Sequence, residues 1–167
     1  DERYTELMQT VSYTEKYKDV REVEVPKSLV EAVYADFMSY YSQHSTDETQ
    51  PYEGIVELLE ELKARGHQLA VLSNKADPLT QAVVKFYFKP AVFDAVRGMK
   101  EGIPAKPDPT GAILLAEELG VEADSVFYVG DTMTDMKTAV SAGMKAVGVT
   151  WGFRLEQELL DYGAQWI

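Results

Sequence analysis

The sequence predicts an α/β protein, a doubly wound parallel sheet with a partial helical domain on its N-terminal side. Two observations predict it. From Tyr52 onward short apolar runs alternate with amphipathic segments, joined by short links that carry helix starts and stops. Before that point the pattern is helical and more densely acidic. We therefore divide the chain into residues 1–48, a partial helical domain, and residues 49–167, the α/β core.

The elements follow in order. Tyr4 to Tyr17 has helical periodicity. Ser28 and Glu31 have capping-box spacing ahead of Leu29, Val30, Val33, Tyr34, Phe37, Met38 and Tyr41, which predicts an amphipathic helix. Ser45 to Pro51 is a polar connection. A helix is expected from about Glu53 to Arg65, stopped by Gly66, and a strand from Gln68 to Leu72. Asp77-Pro78 starts the next helix, and a short strand follows near Ala95. Asp108-Pro109 opens a helix through Leu119, which Gly120 ends before a strand from Ser125 to Val129. After Asp135 a helix runs to Ala142 and stops at Gly143, and a strand covers Lys145 to Val149. Ala164 to Ile167 has the pattern of a further strand's beginning.

Composition excludes several function classes. The chain has 167 residues and 46% apolar content, enough to bury a core. A formal net charge of −12 argues against nucleic acid or an anionic membrane as partner. Without cysteine there is no disulfide, thiolate zinc site or cysteine nucleophile, and two histidines are too few for a histidine metal site. Lacking a long apolar run or a basic leader, the sequence reads as a cytoplasmic protein, monomer or homodimer.

In open α/β sheets reactive groups collect at the carboxyl ends of the strands. After Leu69 to Leu72 come Ser73, Asn74 and Lys75, a hydroxyl and successive N–H groups suited to a phosphate oxygen. After the Ala95 strand comes Lys106-Pro107-Asp108-Pro109, an ammonium beside stiff backbone. After the strand VFYVG come Asp131 and Asp135, two carboxylates that can converge on a hard cation such as Mg2+. Singly each has a plainer reading: Ser73 caps a turn, Lys106 is a solvated lysine, the acids cap a helix. Their ordered placement at successive strand ends favours a joint site. Arg97 and Trp151 follow strands as well, and both an edge-of-site role and ordinary solvation or packing fit them.

The run LAVLSNK, then KPDP, then VFYVGDTMTD followed by SAGMKAVGVTWG resembles the haloacid dehalogenase (HAD) superfamily, in its phosphoglycolate-phosphatase-like branch with a helical cap. The resemblance covers about residues 50 to 167. It implies a Rossmann-like HAD core and a magnesium-dependent phosphatase acting on a small phosphorylated metabolite through an aspartyl phosphate. Ser73 resembles the residue that holds the transferring phosphoryl group, helped by the backbone N–H of Asn74. Lys106 resembles the lysine that neutralises phosphate and nucleophile, and Asp131 and Asp135 the acids that hold and orient magnesium. Residues 1–48 would be the latter part of the cap, with Thr49 to Gly54 as hinge.

One part of the family pattern is missing. No apolar strand here ends in Asp-x-Asp and a glycine turn, the motif that carries the nucleophile, and Asp94, after Ala91-Val92-Phe93, has no second acid. In that family the nucleophile strand lies between the strand ending at Ser73 and the one ending at Asp131. The expectation is an upstream segment supplying that strand, and little folding or turnover from these residues alone. A phosphomutase on the same core, a metal-independent dehalogenase and a binding module without catalysis remain alternatives.

Overall fold

The computed structural model describes residues 26–167; the helix expected over Tyr4 to Tyr17 lies outside them. The chain divides into two units, the second of which is His44–Ile167. In the first, α1 (Lys27–His44) leaves Leu29, Val30, Val33, Tyr34 and Phe37 about half exposed, while Phe37 and Tyr41 stack at 5.3 Å. The capping box expected at Ser28 does not form. The helix starts at Lys27, the Pro26 carbonyl accepts from the Leu29 N–H, and Glu31 pairs instead with Lys27 at 3.6 Å.

In the second unit, α2 (Ile55–Ala64) leads to β1 (Ala70–Ala76), α3 (Asp77–Tyr87) and β2 (Ala95–Met99). Then come α4 (Thr110–Leu119), β3 (Phe127–Gly130), α5 (Met133–Ser141), β4 (Lys145–Gly148) and α6 (Glu156–Asp161). Three expectations shift. β1 runs through Ser73, Asn74 and Lys75. α5 begins before Asp135, because Thr132 is its N-cap and accepts the Asp135 N–H. α6 was not expected at all; it is short, but its Leu159 is fully buried against β4. Truncating such a residue to Ala costs about 2–5 kcal/mol.

The four strands form two parallel pairs, β1 with β2 and β3 with β4. The pairs are not joined to each other by backbone hydrogen bonds. What joins them is side-chain packing. Ala112 and Ala116 of α4 and Met136 and Ala139 of α5 belong to one buried cluster, onto which Leu72 of β1 and Tyr128 of β3 both pack. β1 therefore faces the β3–β4 pair across the break. On the far side the expected terminal strand is a single parallel bridge, Val147 to Trp166, with the Gly148 N–H donating to the Trp166 carbonyl at 2.8 Å.

Asp94 lies at the opposite end of the sheet from the candidate site. It precedes β2, accepts the Leu69 N–H at 2.8 Å, and receives Lys63 Nζ on both carboxylate oxygens at 2.5 and 2.6 Å. Those contacts, Lys63 first and Leu69 second, hold its carboxyl below the usual carboxylate value. It is a structural acid. Arg97 is similarly committed, pairing with Glu118 of α4 at 2.8 Å. Among the described residues no helix is long and apolar enough to cross a membrane.

Candidate active site

Three strand ends build the site. At the first, pairing between β1 and β2 jumps from Leu72 opposite Arg97 to Ala76 opposite Met99, so Ser73, Asn74 and Lys75 stand opposite Gly98 alone. This is a bulge, which interrupts a ladder and re-aims side chains. Ser73 Oγ accepts the Lys75 N–H at 3.1 Å inside it. Gly98 lets the elements close up: a Cβ there would lie 2.4 Å from Asp77 Cα, and its N–H donates to Asp77 Oδ1 at 2.7 Å.

The bulge aims Asn74 at the loop after β2. Asn74 Oδ1 accepts the Lys106 N–H at 2.9 Å, and Asn74 Nδ2 donates to the Lys106 carbonyl at 3.0 Å. The Lys106 ammonium then donates to the Leu72 carbonyl at 3.2 Å and to Asp135 Oδ1 at 2.7 Å. That ion pair spans the break between the two strand pairs. Only 14% of the lysine side chain and 9% of the aspartate side chain is exposed, so solvent screens the pair weakly.

Asp135 is held from three sides. Its Oδ2 accepts the Thr132 hydroxyl at 2.6 Å, its N–H is capped by Thr132, and a Cβ at Gly130 would sit 2.2 Å from its own Cβ. The signal was present in the sequence. Thr132-x-x-Asp135 has capping-box spacing, and it makes Asp135 a first-turn residue of α5. Tyr128 lies close by, and its hydroxyl is pushed well above the ordinary tyrosine value, first by burial and second by the Asp135 charge.

Asp131 takes different contacts. Its Oδ2 accepts the Phe153 N–H at 3.2 Å, and Gly152 lies so close that a Cβ would fall 2.2 Å from that oxygen. Trp151 is half exposed beside it. The loop after β4 thus seats Asp131, a role that sequence alone left undecided between site edge and packing. A shallow depression lined by Leu72, Ser73, Asn74, Gly98, Lys106 and Asp108 adjoins the site, and neither Asp131 nor Asp135 is part of its lining.

The residues divide into a cationic and an anionic part. Ser73, Asn74 and Lys106 share one depression, and Asp135 ties to it through Lys106. As for a metal, both Asp135 oxygens have protein partners, whereas among the described residues no lysine or arginine pairs with Asp131. No group of three or more acidic, histidine or cysteine residues capable of holding an ion occurs among the described residues. Oxygen donors of this kind and number fit magnesium, which takes one or two carboxylates and completes its shell with phosphate and water.

Comparison with known proteins gives a consistent picture. A family model described as haloacid dehalogenase-like hydrolase matches residues 4–149. A phosphoglycolate phosphatase of Mannheimia succiniciproducens is 33% identical over 132 residues, 78% of this chain and 58% of the relative. A solved structure from Lactobacillus delbrueckii subsp. bulgaricus, provisionally named a phosphoglycolate phosphatase, superposes with TM-score 0.80 at 32% identity, covering 95% of this chain and 66% of its own. A β-phosphoglucomutase of Clostridium difficile shares the fold, with TM-score 0.70 at 18% identity over 99% of this chain and 70% of its own. The chain spans about three fifths of the length of the curated relatives it matches.

Proposed function

The chain belongs to the haloacid dehalogenase-like hydrolase family, and we propose that it serves a magnesium-dependent phosphatase acting on a small, phosphoglycolate-like monoester. The observation that carries this reading is the Lys106 ammonium, fixed at the carboxyl ends of parallel strands between the Leu72 carbonyl and Asp135. Phosphoryl transfer spreads negative charge over three equatorial oxygens, so a fixed cation beside hydrogen-bond donors is the main requirement.

Each residue then has a task. The Ser73 hydroxyl and the Asn74 N–H orient phosphoryl oxygens, and Lys106 neutralises their charge. Asp131, with Asp135 four residues on, would hold magnesium. When bound, the ion adds positive charge at the phosphoryl oxygens. The nucleophile is an aspartate on a strand seated between β1 and β3, supplied from upstream; the unpaired break between the two strand pairs supports this placement. Attack by its carboxylate transfers the phosphoryl group while a second acid, two residues later on that strand, protonates the leaving oxygen to release the alcohol; the same acid then takes a proton from the water that hydrolyses the aspartyl phosphate. The assignment of residues 1–48 to the latter part of a cap, and a cytoplasmic location, belong to the same proposal.

The test is release of inorganic phosphate from a panel of small phosphate esters by the full-length protein, with magnesium and with chelator. Magnesium-dependent release supports the reading. Redistribution of phosphate within a sugar phosphate, without release, would make the protein a phosphomutase. Binding without turnover would make it a binding module.

A further inference from the structure

We propose that Asn74 is a positioning residue whose carboxamide fixes the backbone of Lys106, and through it the ammonium. It takes both backbone groups of one residue on another element, accepting the N–H at 2.9 Å and donating to the carbonyl at 3.0 Å. A single bond would let the loop pivot. Two opposed bonds to the same residue set its orientation as well as its place, and a carboxamide presents an acceptor and a donor together. The bulge is what makes this reach possible, because it takes Asn74 out of the ladder between β1 and β2.

The consequence lies at the far end of the lysine. Its long side chain has several rotatable bonds and loses entropy when ordered. With the backbone clamped at one end and the ammonium held by the Leu72 carbonyl and Asp135 at the other, the side chain is anchored at both ends. The sequence assigns Asn74 to phosphate through its backbone N–H. The side chain adds a second role, directed at Lys106. Its effect on rate rests on the phosphoryl-transfer reading, whereas the clamp itself does not.

Two measurements test it. In the full-length protein, hydrogen exchange of the Lys106 amide should become about tenfold faster in Asn74→Ala, the scale of one lost hydrogen bond; unchanged exchange would overturn the clamp. In the full-length protein with p-nitrophenyl phosphate, Asn74→Ala should lower kcat by about 100-fold, as displaced catalytic groups do. In a Lys106→Ala background the same substitution should change kcat less than about twofold, because the positioned group is gone. A full repeat of the loss there would overturn the proposal and assign Asn74 to phosphate directly. Asn74→Asp keeps the acceptor and removes the donor, so it should keep the amide slow yet lose rate; a wild-type rate would also overturn the paired clamp. If the wild-type protein releases phosphate from no ester of the panel, the phosphatase reading fails, and amide exchange still decides the clamp.

Discussion

Lys106 and Asp135 meet at 2.7 Å across the break between two parallel strand pairs, one residue from the loop after β2 and the other from the first turn of α5. No backbone ladder joins those pairs, so they are connected by this contact and by the core cluster onto which Leu72 of β1 and Tyr128 of β3 both pack. The same pair that supports the proposed chemistry also supports the fold.

Removing one partner of a buried pair strands the other charge. Lys106→Met and Asp135→Asn are each expected to lower stability by about 3 kcal/mol. The double substitution should cost less than the two added together. Urea denaturation of the four full-length proteins checks this, and strictly additive losses would show that the pair contributes nothing.

The two glycines beside the acids make a separable prediction. A Cβ at Gly130 would meet Asp135 Cβ at 2.2 Å, and one at Gly152 would meet Asp131 Oδ2 at 2.2 Å. Gly130→Ala should destabilise the chain by about 2 kcal/mol through overpacking. Gly152 lies in a loop, so Gly152→Ala should mainly displace Asp131 and weaken magnesium binding, read by calorimetric titration. Unaltered magnesium affinity would detach Gly152 from the metal assignment.

Asp94 gives a pH dependence. Its carboxyl is held below 3.8 in the folded chain, chiefly by Lys63 and then by the Leu69 N–H. A depressed carboxylate contributes stability that is present above the unfolded value and is lost as pH falls through the folded one. Stability should therefore fall more between pH 5 and pH 3 in the wild type than in Asp94→Asn, measured by urea denaturation at both values. Equal slopes would remove Asp94 from the acid response.

Much of this was legible in the sequence because apolar period and helix punctuation are local signals. Asp77-Pro78, Gly120 and Gly143 mark their boundaries well. The bulge at Ser73–Lys75 was not legible, since it depends on the register against Gly98, a residue distant in sequence. For the same reason the Asn74 clamp and the seat that Gly152 gives Asp131 appear only in three dimensions. Ser28 has capping-box spacing to Glu31, yet the helix begins at Lys27, two residues before the start that a Ser28 cap implies, on the Pro26 carbonyl. The chemistry-bearing residues Ser73, Lys106, Asp131 and Asp135 are legible because each comes after an apolar run in the sequence, although Ser73 itself lies within β1 and Asp135 within α5.

The proposal that magnesium at Asp131 and the Lys106 ammonium together serve phosphoryl transfer turns on one comparison. Phosphate release from a small monoester should be measured for the full-length protein and its Asp131→Asn variant across a magnesium titration. Release should be saturable and magnesium-dependent in the wild type and lower by about 100-fold or more in the variant. Equal release from both proteins would contradict it.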